Sequence, residues 1–387
     1  MKVEWNKRYT TIAIYSFIVV CCSMIFYITA SQMNAIGTKI NEVLGILQPF
    51  IIGFGIAYLL NFILRFYEER VFEIKGLDKI KPKGKRALGV LLTYITAWVL
   101  LTLFIQFVLP QVVDSIRGLV ESIPTYVDDL TKLLDGIMVD LDISEEYLAI
   151  ATDKWNEFQI WIIEFTKGLL PVIGGWIAGI AASIWNIVLG IIISIYLLID
   201  KEKFYALGKK ITYAVFNKNA ANIVLRLTHQ SNDTFGKFIS GKILDSLIIG
   251  ILTFIVLTIF KMPYTILISV IIGITNIIPF FGPFFGAIPS TIIILFVSPV
   301  KALWFILIIV IIQQLDGNII GPKILGDSIG ISAFWILFSL LVAGKFAGLL
   351  GMIIGVPVFA VIYSIIKEVV EGRLKKKGLP SDTEEYM

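Results

Sequence analysis

The side chains of this chain that could do chemistry are few, and most stand where an apolar stretch begins or stops. Asp245 opens one apolar run, Asp316 closes another inside Gln313-Gln314-Leu315-Asp316-Gly317-Asn318, and Lys345 interrupts a third. A charge within apolar chain costs at least ~2.5–3.5 kcal/mol even on the membrane-insertion scale, so such positions are candidates for handling ions. Asp245 and Asp316 are therefore candidate coupling residues for H+ or Na+. The plainer alternatives are that Asp245 and Lys345 reach to an interface and that Asp316 caps a helix. A second group sits at chain breaks. It comprises Pro279, Gly282 and Pro283 of Ile278-Pro-Phe-Phe-Gly-Pro283, and Gln313, Gln314, Asp316, Gly317, Asn318 and Pro322. Broken helix ends expose carbonyls and amides that bind ions and small polar solutes, which makes these nine the candidate substrate-binding and transport residues.

Other chemistries find no residues to use. His229 is the single histidine, with no nucleophile or acid at a recognisable spacing. Cys21 and Cys22 are adjacent in an apolar run, which excludes a disulfide framework. Gly236-Lys-Phe-Ile-Ser-Gly-Lys242-Ile243 nearly matches a phosphate loop but lacks the hydroxyl for Mg2+, and no strand precedes it. We expect no metal, no cofactor and no enzymatic activity, so movement of a solute would be gradient-driven or passive. A net charge of +4 spread over 387 residues is too weak for nucleic acid.

The elements that must hold these residues follow from the composition. Apolar residues make up 57% and charged residues 16% of the chain, where a soluble domain carries about 25% charged residues. The surface cannot be covered for water, so the chain is expected to be an all-α polytopic membrane protein. Runs of about 20 apolar residues, enough to span, occupy Tyr9–Ala30, Val43–Leu64, Ala87–Leu109, Gly168–Ile199 and Ile243–Phe260. Beyond Phe260 the runs shorten: Thr265–Ile278, Phe284–Val297 and Ala302–Leu315 precede a polar break at Gly317–Ser328, then Ile329–Ala343 and Phe346–Lys367 flank Gly344-Lys345. Glycines four apart, as in Gly344/Gly348 and Gly351/Gly355, allow close helix contact there.

Charge sets the orientation. Arg65–Arg86 carries eight Lys/Arg against four acids, Lys201–Lys242 eight against two, and Pro110–Lys167 four against twelve. Basic loops stay cytoplasmic, which places both termini and the two basic loops inside and the acidic segment outside, in the cell membrane. Ten thin spans satisfy this parity, as do about six full spans plus two re-entrant hairpins, 265–297 from outside and 329–366 from inside (8–10 membrane segments). We favour the hairpins, because short broken runs survive at membrane depth only where protein or a water-filled cavity satisfies the backbone. The expected organisation is three spans in 1–109, an extracellular acidic helical subdomain in 110–167 broken at Pro124, a fourth span in 168–199, a basic amphipathic segment in 200–242 suited to anionic lipid, a transport core in 243–370 and a tail in 371–387.

Several of these stretches resemble one family. Leu47-Gln-Pro-Phe, Ala57-Tyr-Leu-Leu-Asn61, Leu109-Pro, Ile123-Pro-Thr-Tyr126, Ile278-Pro-Phe-Phe-Gly-Pro283, Gln313-Gln-Leu-Asp-Gly-Asn318 with Pro322, and Gly348-Leu-Leu-Gly-Met-Ile-Ile-Gly-Val-Pro357 are similar, in order, to the autoinducer-2 exporter (AI-2E) family of multi-pass permeases. Phe62 stands where that family usually has proline after the asparagine. The resemblance implies export of a small polar solute such as autoinducer-2, Na+/H+ antiport in some relatives, and a homo-oligomer. A non-transporting membrane scaffold is the third reading.

Overall fold

The computed structural model describes residues 7–31, 33–72, 82–140, 145–325 and 330–387. Lys2 of the amino-terminal basic segment, residues 73–81 of the first basic loop and residues 326–329 before the second hairpin lie outside the described residues. Among the described residues the regular structure is all helical. The helices are α1 (Lys7–Ser31), α2 (Met33–Phe66), α3 (Pro82–Leu103), α4 (Leu109–Asp140), α5 (Glu145–Ala182), α6 (Ile184–Ile199), α7 (Lys201–Val215), α8 (Lys218–Ile259), α9 (Thr265–Thr275), α10 (Gly282–Val297), α11 (Pro299–Leu315), α12 (Gly321–Leu325) and α13 (Ala333–Lys376). Among the described residues, six stretches are long and apolar enough to cross a membrane: Arg8–Tyr27, Glu42–Val71, Lys83–Asp129, Lys218–Ile259, Pro299–Ile324 and Ala333–Lys376, the last interrupted at Ala347-Gly348. The chain is an all-α multi-pass membrane protein.

It divides into two compact units, Met1–Ala57 with Ser183–Tyr196, and Tyr58–Ala182 with Leu197–Met387. In the first, Asn186 Nδ2 donates to Gln48 Oε1 across 3.1 Å, and the side chains of Tyr9, Phe17 and Phe26 on α1 are exposed, as expected of a lipid-facing surface. The second unit holds the candidate site.

Three expectations need correcting. Pro124 does not break its helix: it lies within α4, which a π-helical turn at Phe104–Val108 joins to α3 just ahead of Pro110. A wide turn absorbs the ring and missing N–H of Pro110, while burial of Leu119, Ile123 and Val127 outweighs the cost of Pro124. The fourth apolar stretch is a bent pair, Pro171–Ala182 and Ile184–Ile199, broken at Ser183. The polar stretch after Leu315 continues as a π-helical turn, Asp316–Ile320, into α12.

Both expected hairpins fold back on themselves. In the first, α9 and α10 run antiparallel about a turn in which Phe280 takes φ +61° and Pro283 fits the first turn of α10, where no N–H is needed. In the second, α13 reverses at Ala347-Gly348, Gly348 adopting φ +56°, a region closed to most side chains. Trp335 consequently stacks on Phe359 with ring centroids 5.3 Å apart. The first hairpin departs from the Ile259 end of α8. The second arm of the other lies along the Lys218 half of α8, with Gln230 Nε2 donating to Ser364 Oγ at 2.7 Å and Arg226 paired with Glu368. The hairpins thus approach from opposite ends of α8 and meet in an apolar cluster of Phe238, Ile278, Leu340 and Val356. The acidic helices α4 and α5 pack on each other and on the first hairpin through Ile162, Ile293 and Phe296.

Candidate functional site

One buried face of α8 starts the site. Lys242, Asp245, Ser246, Ile249 and Thr253, at helical spacing, are all buried, so an apolar-looking helix hides polar groups on its inner stripe. Two glycines let α9 come close enough to present a partner: a Cβ added to Gly273 would lie 3.1 Å from the Cα of Gly250. That backbone contact sets Asn276, three residues further on, beside Asp245. From the other side the π-helical turn delivers Asp316, its carbonyl accepting from the Gly321 N–H.

The result is a charged cluster with few escape routes. Lys242 Nζ donates to Asp245 Oδ2 at 2.8 Å. Asn276 Nδ2 donates to Asp245 Oδ2 at 3.2 Å and to Asp316 Oδ2 at 3.3 Å, spending one N–H on each carboxylate. Asp245 is 0% exposed, Asn276 2% and Asp316 8%. The remaining oxygens, Asp245 Oδ1 and Asp316 Oδ1, have no hydrogen-bond partner, and neither do Ser246 Oγ or Gln313 Nε2. Taking a carboxylate out of water costs several kcal/mol after relaxation, and an unpaired one keeps most of that penalty. Two carboxylates facing one ammonium leave the cluster short of one positive charge. A proton or a bound monovalent cation would supply it.

The structure thus unites Asp245 and Asp316, 71 residues apart in sequence. Pro279 and Gly282 are buried in the first hairpin's turn and Pro283 is half-buried beside them. Gln313, half-buried, lies one helical turn before Asp316 on the same side. Gln314 and Asn318 are turned away: both are exposed, and Asn318 Nδ2 donates to the Gln314 carbonyl and to its Oε1, each at 2.9 Å. Gly317 and Pro322 are exposed too. Lys345 is exposed near the tip of the second hairpin. His229 makes an exposed contact with Asp233 at 3.4 Å, and the phosphate-loop-like stretch 236–242 is continuous helix.

Two members of the cluster escaped the sequence reading as site residues. Lys242 was legible as the residue three before Asp245, a spacing that puts both on one helix face. Asn276, just ahead of Ile277-Ile278-Pro279, could have been found as an amide at the end of an apolar helix before a proline turn.

Comparison with known proteins identifies the setting of this cluster. Residues 12–371 match the profile of the family described as AI-2E family transporter. The chain belongs to the AI-2E transporter family. Among its relatives, YueF of Bacillus subtilis (strain 168), provisionally named a transport protein, is 31% identical over 364 residues, covering 90% of this chain and 94% of the relative. YrrI of the same organism, named in the same way, is 29% identical over 255 residues, covering 63% of this chain and 71% of its own length. A Thermotoga maritima protein, again provisionally named for transport, is 22% identical over 336 residues, 85% of this chain and 94% of that protein. As a member of the AI-2E family this chain is a membrane transporter. Its buried carboxylate pair lies inside the region shared with the family.

Proposed function

We propose that this AI-2E family member is a secondary transporter that moves a small polar solute outward across the cell membrane, coupled to H+ or Na+ at the Asp245–Asp316 pair. The observation that carries this reading is the single Asn276 amide that bridges both carboxylates while each keeps an oxygen without a partner. A site short of one positive charge, between two hairpins approaching from opposite ends of α8, can take up a cation on one side and release it on the other as the hairpins open in turn. The solute would lie beside it, against the turn residues Pro279, Gly282 and Pro283 and the free amide of Gln313, and a hydroxyl-rich molecule of the autoinducer-2 kind suits those groups. Both termini are taken as cytoplasmic, from the basic loops, and the working form as a homo-oligomer, from the family resemblance.

Counterflow in proteoliposomes tests it, with unlabelled autoinducer-2 inside and labelled autoinducer-2 outside. Accumulation that is lost in Asp316→Asn and Asp245→Asn supports a solute carrier coupled at this site. Accumulation unchanged in both variants would remove the pair from the mechanism. The same carboxylates favour one second reading, Na+/H+ antiport without solute. It is indicated if counterflow is silent while a pH dye in the same vesicles responds to added Na+ and that response disappears in Asp316→Asn.

A further inference from the structure

We propose that Lys242 is a tethered cation that restricts the buried site to a single monovalent ion. The inference rests on the reading of Asp245 and Asp316 as the coupling-ion site and adds its selectivity. Its basis is a count of charges in a closed place. Lys242 Nζ holds Asp245 Oδ2 at 2.8 Å, and both groups are buried on the same face of α8. Asp316 has the Asn276 amide as its donor and lies within side-chain hydrogen-bonding reach of Asp245, and neither Asp245 Oδ1 nor Asp316 Oδ1, both buried, receives a hydrogen bond from a protein donor. Other charged side chains on the elements packed against α8 here, Lys323 of α12 and Lys345 of α13, are exposed, and the second hairpin presents apolar Leu340 and Val356 beneath the site. The fixed charges are then two negative and one positive.

One added positive charge completes the balance. A divalent ion would overshoot it and meet an ammonium already seated against one of its carboxylate ligands, and in low-dielectric surroundings like-charge juxtaposition is strongly unfavourable. Divalent ions otherwise prefer paired carboxylates over monovalent ones, because hard oxygen ligands and charge count set their affinity. The lysine is what reverses that preference. If it is neutralised, two carboxylates with free oxygens and an adjacent buried hydroxyl, Ser246, become a site for a divalent cation.

The experiment is thermal unfolding of the purified full-length protein in detergent, followed by tryptophan fluorescence. NaCl or CaCl2 is titrated at constant ionic strength against choline chloride. The wild type is expected to gain roughly 2–4 °C per tenfold rise in Na+ above its binding constant, with Ca2+ giving no gain. Lys242→Gln is expected to reverse the order, responding to Ca2+ at least tenfold below the Na+ concentration with equal effect, while Lys242→Arg keeps the wild-type order. Lys242→Gln that retains the Na+-over-Ca2+ order overturns the inference and leaves the coupling site standing. A wild type whose Na+ response equals that of Asp245→Asn/Asp316→Asn overturns the inference and Na+ coupling at this pair, and leaves the proton as the coupling ion of the proposed function. If Lys242→Gln does not fold, Lys242→Gln/Asp316→Asn decides, because its fixed charge is again one negative. A restored response to Na+ alone supports the count, and its absence refutes it.

Discussion

Gly273→Ala adds one methyl group at the place where α8 and α9 touch backbone to backbone, and the geometry there fixes its consequence. The new Cβ would sit 3.1 Å from Gly250 Cα and 3.4 Å from the Ser246 carbonyl, whereas carbon–carbon contacts are comfortable at about 3.5–4.0 Å. Neither obstacle is a flexible side chain, so the helices must part by about 0.4–0.9 Å. Asn276 is less than a helical turn from Gly273, and its 3.2 Å bond to Asp245 would open to about 3.6–4.1 Å, beyond hydrogen-bond range. A hydrogen bond to a charged group contributes about 1.5–3 kcal/mol, so ion-coupled transport should fall by roughly 10- to 100-fold. Overall stability should change little, because alanine gains about 0.8–1 kcal/mol over glycine within a helix and offsets part of the strain. The assay is uptake of labelled autoinducer-2 into proteoliposomes driven by an imposed Na+ or pH gradient, with protein recovery and the melting midpoint as controls. Gly175→Ala, where an added Cβ meets nothing within 4 Å, should transport as the wild type does. A Gly273→Ala protein that transports within about twofold of wild type would refute the claim that this close approach positions the site.

Neighbouring glutamines should behave differently. Gln313→Leu, which removes a half-buried amide on the Asp316 side, is expected to lower solute counterflow at least tenfold, while Gln314→Ala, which breaks only an exposed bond with Asn318, is expected to stay within twofold. Arg86 donates to the Leu198 carbonyl through Nε at 2.8 Å and pairs with Glu68. Arg86→Met would leave the Leu198 carbonyl without its side-chain donor and Glu68 with Lys201 Nζ alone, at 3.3 Å, and should destabilise the second unit by about 2–4 kcal/mol, the low side of a buried pair because Glu68 is partly exposed and keeps that one partner, read as a lower melting midpoint. Burial, then repulsion from Arg86, holds the Lys201 ammonium below the usual lysine range, with Glu68 opposing. The folded state therefore releases that proton before the unfolded state does. Stability should rise with pH through the window just below the ordinary lysine value, and the melting midpoint of Lys201→Met should lack that slope.

What could be read from the residues, and what could not, divides along the range of the forces involved. Membrane class, the apolar stretches and both hairpins depend on local composition and on turn residues such as Pro279, so they were legible, although the second reversal falls at Ala347-Gly348, just past the expected break at Gly344-Lys345. Asp245 and Asp316 stood out because a charge in an apolar run is costly wherever it goes. Their meeting was not legible, because it depends on Gly250 and Gly273 touching between two helices and on a π-helical turn, and neither leaves a sequence period. The same turn misled the reading after Leu315. Gly317 and Pro322 announce a break, yet an i→i+5 bond to the Asp316 carbonyl carries the helix on, which turns Asp316 inward and Gln314 with Asn318 outward.

That geometry also constrains how an ion would move. On one side of the carboxylate pair lies the cluster Phe238, Ile278, Leu340 and Val356, which joins the turn of the first hairpin to both arms of the second. On the other lies a longer apolar core that includes Ile249, Leu257, Ile268, Ile294 and Phe305. An ion leaving through either would pass apolar walls that give back none of its hydration. The smaller seal is the first, where the first hairpin contributes Ile278, with Ile277 and Phe281 packed beside it. Parting the hairpins there needs no separation of α8 from α9, so the Asn276 bridge can stay intact while that side opens. Opening the other side requires α9 and α10 to slide along α8, and Gly250 against Gly273, where the two backbones meet without side chains, is where such sliding meets least resistance.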